Sequence, residues 1–103
     1  MSHNRDGLSD IFHNTLGVKN VYFQPPTSVQ IKYPCVVYKR LPYSTLKADN
    51  RLYRAYGHYQ ATYITKDPDS DIPLQMLNTF EMISHNSRFT SDNLYHDVFD
   101  IYY

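Results

Sequence analysis

The stretch that decides the fold is FTSDNLYHDVFDIYY, Phe89 to Tyr103. Thr90-Ser91-Asp92-Asn93 is a cluster of turn formers. From Leu94 the chain alternates polar and apolar residues, rich in aromatic and β-branched types, to the last tyrosine. That composition and period of two predict a strand. Terminal segments fray unless the body of the fold ties them down. The fold is therefore expected to close with this strand inside a sheet, with no tail domain beyond it. Residues 83–89, on the other side of the turn, supply its hairpin partner.

Upstream lies KDPDSD, residues 66–71, a tight acidic turn. It leads into a predicted helix over 72–82. Asp69, Ser70 and Asp71 are natural N-terminal caps, Pro73 fits a first turn, and acids there complement the helix dipole. Ile72, Met76, Leu77, Phe80 and Ile83 make its apolar stripe.

Residues 52–65 (LYRAYGHYQATYIT) form the longest strand candidate. Tyr53, Ala55, Gly57, Tyr59, Ala61 and Tyr63 share one face; Arg54, Tyr56, His58, Gln60, Thr62 and Ile64 share the other. Large rings alternating with very small residues suit interdigitation with a helix or a neighbouring subunit. Gly57 marks a bulge or a close backbone approach. Residues 31–40 (IKYPCVVYKR) read as a strand whose central part starts after Pro34. Between these strands, 41–51 (LPYSTLKADNR) reads as a loop, polar and ending in the turn-prone Ala48-Asp49-Asn50. It is longer than most hairpin connections, and long loops on a rigid sheet tend to carry binding.

Residues 4–16 read as an amphipathic helix with Leu8, Ile11, Phe12 and Leu16 on one face, Asn4 as N-cap and Gly17 past the end. Residues 18–23 are a short apolar-aromatic segment with strand character, stopped by Pro25-Pro26. The expected fold is one α+β domain spanning 1–103. Two helices pack on one face of a mostly antiparallel four-stranded sheet, in the order α-β-β-α-β-β.

The chain has 103 residues, 42% apolar and 19% charged, with ten basic side chains against ten acidic. This balance argues against a broad nucleic-acid footprint or an anionic membrane, and near-zero net charge favours association. Eleven Tyr and five Phe with no Trp are the compositional outlier. Tyr is enriched both at protein interfaces and on ordinary sheets. The single Cys35 excludes an intrachain disulfide and reads as a small buried hydrophobe, with no histidine beside it in sequence to activate it. There is no apolar leader and no window long enough to span a bilayer, so a reducing, cytosolic setting or a particle assembled there is expected.

The chemistry-bearing residues form no recognised site. His96, Asp97 and Asp100 are the densest group, but in a strand His96 and Asp100 share a face that Asp97 does not. His3, His13, His58 and His85 are scattered, with no metal-ligand spacing. The 67–71 acids lack the glycine and glutamate of a calcium loop, and a capped turn explains them. Lys39, Arg40, Lys47, Arg51 and Arg54 lie near Tyr38, Tyr43, Tyr53 and Tyr56, the makings of an RNA platform that the neutral charge disfavours. These basic residues suit a protein partner or a neighbour's acids. No pattern supports an enzyme, a catalytic residue, a metal or a cofactor.

Several short segments carry a resemblance in their order and spacing: Val21-Tyr22-Phe23-Gln24-Pro25-Pro26, Tyr33-Pro34-Cys35-Val36-Val37-Tyr38, Ala48-Asp49-Asn50, Tyr63-Ile64, and Lys66 through Pro73. Further on come Arg88-Phe89-Thr90, Asp92-Asn93-Leu94, His96-Asp97-Val98-Phe99 and Tyr102-Tyr103. Together they resemble the tail terminator (tail completion, head–tail joining) proteins of long-tailed bacteriophages. The resemblance implies a structural virion protein of the neck, assembled in the host bacterial cytoplasm. It implies a hexameric ring that caps the tail tube, stops its polymerisation and presents a docking surface to the head connector. The implied partners are further copies of the chain, the tail tube protein, a head-completion or connector protein and the tape measure protein. No membrane or sequence-specific nucleic acid is implied, DNA only passing through the lumen. The alternative is a head-closure or connector adaptor of the same neck. On the ring reading, the surface expected to meet the next subunit or the tube comprises Leu46, Lys47, Asp49, Asn50, Arg51, Tyr53, Tyr56 and Tyr59.

Overall fold

The computed structural model describes the backbone of residues 5–48 and 51–103 and the side chains of residues 7–42 and 57–103. Five strands, β1 (Asn20–Phe23), β2 (Cys35–Ala48), β3 (Arg51–Thr65), β4 (Ile83–Ser91) and β5 (Leu94–Tyr102), form one sheet in the order β1-β2-β3-β5-β4. Two helical segments accompany it. The first is α1 (Arg5–Asp10), continued by a π-helical turn over Ile11–Thr15; the second is α2 (Ile72–Thr79).

This corrects the expected architecture of a four-stranded, mostly antiparallel sheet in the order α-β-β-α-β-β. The sheet has five strands and is mixed, because β1 pairs parallel with β2 through Asn20↔Cys35 to Phe23↔Tyr38. Residues 24–34 carry the chain back to the start of β1's partner. They include Pro25 and Pro26 and turn at Gln24, whose φ is +41°. The Gln24 N–H donates to the Tyr38 carbonyl (2.9 Å), and its side-chain oxygen accepts from the Arg40 N–H (3.1 Å), so this turn is pinned to β2. The other strand pairs are antiparallel.

One face of the sheet is the core. Val36, Tyr38, Tyr59, Ala61, Tyr63, Phe99 and Ile101 pack against Leu8, Phe12, Leu16, Met76 and Phe80 from the helical layer. The Phe12 ring lies 5.4 Å from Tyr38 and 5.8 Å from Phe80, centroid to centroid. Alternation in β3 places Ala61 between Tyr59 and Tyr63, leaving room for such rings, as the sequence pattern indicated. Two buried tyrosines keep partners for their hydroxyls, Tyr38 with Ser9 Oγ and Tyr63 with Ser70 Oγ (3.0 Å). A buried hydroxyl without one would cost about 1–3 kcal/mol.

The helix ends differ from the sequence expectation. The first helix widens after Asp10, with the Leu16 N–H reaching back to the Ile11 carbonyl (3.0 Å), and ends at Gly17, whose φ of +72° suits glycine. The second stops at Thr79, not 82: Phe80 is already extended, and Ile83 belongs to β4. Asp92 and Asn93, with φ of +53° and +63°, form the two-residue turn between Ser91 and Leu94. Both positions demand left-handed backbone, which Asp and Asn tolerate better than most residues.

The predicted loop 41–51 is also corrected. Its described residues continue both strands as a hairpin arm: Ser44↔Tyr56, Thr45↔Ala55, Leu46↔Arg54, Lys47↔Leu52 and Ala48↔Arg51. β1 has ended opposite Tyr38, and the β5 side ends at Tyr103 opposite Gly57, so among the described residues these pair only with each other. At about 3.4 Å per residue, five such pairs extend roughly 17 Å beyond the sheet body. The described molecule is accordingly elongated, 47 × 26 × 24 Å. Where arm meets body the register shifts between Leu41↔His58 and Ser44↔Tyr56. Pro42 sits in that bulge, where no ladder donor is needed.

Candidate interaction surfaces

The arm carries most of the sequence-predicted surface. Leu46 and Lys47 lie on its β2 strand, and Arg51, Tyr53 and Tyr56 on its β3 strand. Asp49 and Asn50 lie outside the described residues. Tyr59 is different: it is 4% exposed and belongs to the core, with its ring 6.2 Å from Tyr38 and 5.8 Å below the Arg40 guanidinium. Its face of β3 turns under the helices once the strand enters the body, so the ring alternation there serves intramolecular packing.

The second surface is the sheet face opposite the helices. The register aligns Gln60 with Asp100 and Ser84, and His58 with Tyr102. His58 Nε2 lies 3.1 Å from Asp100 Oδ1, and Asn86 donates to Asp100 Oδ2 at 2.9 Å. The His58 ring stacks on Tyr102 at 4.6 Å, and Phe89 stacks on His96 at 4.6 Å. Asn86 reaches Asp100 because it sits at the irregularity between His85 and Ser87. His96 and Asp100 are half-buried members of this face, and Asp97 points to the other side, as strand alternation requires.

Asp97 centres the third surface. It is 4% exposed on the helix side of β5, and its Oδ1 accepts from Arg88 Nε (2.7 Å) and lies 3.0 Å from His85 Nε2. It lines a cavity of about 250 Å³ with Thr65, Asp67, Ser70, Arg88 and Tyr95. The neighbouring acids hold the turn itself: Asp67 Oδ1 accepts the Asp69 N–H (2.9 Å), and Thr65 Oγ1 accepts the Asp67 N–H (3.1 Å). Sequence reading placed Asp97 on its face without seeing this cluster. The signal was there, because an acid in register with Phe99 and Ile101 must find a cation or donor when that face is buried.

Beside this cavity, α2 presents apolar residues outward. Pro73, Met76 and Phe80 point into the core, whereas Leu74 is 63% and Leu77 38% exposed. Leu77 therefore stands outside the buried stripe to which its spacing had assigned it.

Among the described residues, no group of three or more His, Cys, Asp or Glu side chains is arranged to hold a metal ion, and no helix is long and apolar enough to cross a membrane. Cys35 is fully buried, and burial raises its thiol pKa to about 11. A thiol so poorly ionised is a weak nucleophile. No family model, curated protein or solved structure matches the chain.

Proposed function

We propose that this chain is a structural virion protein of the bacteriophage neck, a tail-terminator-like subunit that forms a hexameric ring on the end of the tail tube. The ring stops tube growth and offers its other side to the head-completion or connector protein. The observation that carries this reading is the projecting arm. A two-stranded ribbon alone is marginal in water, and this one bears the Tyr, Leu, Lys and Arg residues of 43–56. It is a natural device for reaching a neighbouring molecule. The ordered segments of the resemblance, from Val21-Tyr22-Phe23 to Tyr102-Tyr103, give that neighbour its setting, and the open sheet face offers further area for tube or connector. The reading rests on those residues and the arm, not on the order of elements.

Electron microscopy of the purified protein mixed with tail tubes tests it. Six-fold rings, or a cap at one end of each tube, are the expected result. Tubes left bare, with the protein bound to portal-bearing capsids instead, would replace the terminator by the connector adaptor.

A further inference from the structure

We infer that the hairpin arm of one copy docks into the groove along α2 of a second copy, head to tail. The inference rests on the ring reading for its closure into six, while the pairing itself stands on three features of the subunit.

The first is the segregation of charge. The overall balance conceals two blocks: residues 39–58 hold five basic side chains and one acid, and residues 67–103 hold seven acids and one base, Arg88. The arm lies in the basic block. The groove lies in the acidic one: the exposed Asp69 and Asp71 stand on its rim with Asp67 exposed nearby, and its one lysine or arginine, Arg88, is paired with the buried Asp97.

The second is shape and polarity. The groove has about 610 Å³ of open volume; Leu74, Leu77, Pro68 and Pro73 form its apolar floor, and His85 and Arg88 line it on the β4 side. An apolar floor with an acidic rim fits a ribbon whose sequence interleaves Leu46, Leu52, Tyr53 and Tyr56 with Lys47, Arg51 and Arg54. Apolar burial supplies affinity, and the opposed charges set register and partner choice.

The third is position. The arm leaves β3 at its beginning, while the groove is built on the 67–71 turn just after β3 ends at Thr65. Tyr56 and Thr65 are about 30 Å apart along an extended strand. A subunit's own arm therefore points away from its own groove, and the contact must be between copies. Two different surfaces at opposite ends make a heterologous interface, which closes into a ring or runs on as a filament.

Charge exchange tests the pairing. One chain carries Lys47→Glu, Arg51→Glu and Arg54→Glu; the other carries Asp69→Lys and Asp71→Lys. Asp71 makes no side-chain capping bond, so its reversal spares the helix start. By sedimentation velocity, each chain alone is expected to associate at least roughly a hundredfold more weakly than wild type, with unchanged far-ultraviolet dichroism. An equimolar mixture restores association, because each arm then faces a groove of opposite charge. As an independent probe of the groove floor, Leu74→Gln weakens association about tenfold. Reversed chains that assemble like wild type, or a mixture that stays dissociated, would overturn the pairing and leave the ring reading standing. A wild-type chain that never self-associates, even on tubes, would overturn both.

Discussion

Gly57 and Tyr103 exchange both backbone hydrogen bonds, Gly57 N–H to the Tyr103 carbonyl at 3.2 Å and Tyr103 N–H to the Gly57 carbonyl at 2.9 Å. This pair closes the sheet body, and beyond it β3 belongs to the arm. A Cβ at Gly57 would stand 2.9 Å from the Tyr103 carbonyl oxygen and 3.0 Å from a Tyr59 ring carbon. The first neighbour is backbone and cannot swing away. Gly57→Ala is expected to lower stability by about 1–3 kcal/mol despite alanine's entropic advantage. Urea unfolding measures this, and an unchanged midpoint would mean that the closure is not as tight as described.

The Asp97 cluster has an asymmetry that mutation reveals. Its partners are partly in water, with side-chain exposures of 66% for Arg88 and 37% for His85, against 6% for Asp97. Asp97→Asn leaves Arg88 and His85 free to hydrate and is expected to cost about 1 kcal/mol. The double variant His85→Ala with Arg88→Ala strands the buried carboxylate and is expected to cost more, about 2–3 kcal/mol. Comparison of their denaturation midpoints checks the order; the reverse order would remove Asp97 from its place as the buried member.

The Asp92-Asn93 turn should respond to glycine. Asn93→Gly relieves left-handed strain and is expected to raise stability by a few tenths of a kcal/mol, whereas Asn93→Val should lower it by roughly 1–2 kcal/mol. In a domain of this size 1 kcal/mol moves Tm by roughly 4–8 °C, so calorimetry resolves the second change easily.

Cys35 should be inert at neutral pH. Burial raises its pKa from 9.0 to about 11, so the neutral thiol is the native form at ordinary pH and the fold loses stability as pH rises above 9 toward that value. A thiol reagent at pH 7 is expected to label it only after denaturation. Rapid labelling of the native protein would contradict its place in the core.

Much of the body was legible from periodicity. The faces of β3, the turn at Asp92-Asn93, Gly17 at its positive φ and the start of β2 at Cys35 all follow from local chemistry. The arm was legible only on its β3 side, where residues 52–56 read as strand; the β2 side, 41–48, read as a loop because no body strand lies beside it and Pro42, Ser44, Asp49 and Asn50 are turn formers. The parallel pairing of β1 with β2 was missed because strand direction leaves no local signature; it depends on where residues 24–34 bring the chain back. On α2, Leu74 and Leu77 share helical spacing with core residues, and sequence alone does not tell which of two apolar stripes is covered. That ambiguity concealed the groove, and the balanced total of charge concealed the arm's complementarity to it.

The most direct measurement is the native mass of the assembled protein, free and released from tail tubes. The account predicts a closed particle of six 12.2 kDa subunits, lost when Lys47, Arg51 and Arg54 are reversed. A 12.2 kDa species at every concentration, unchanged by tubes, would contradict it.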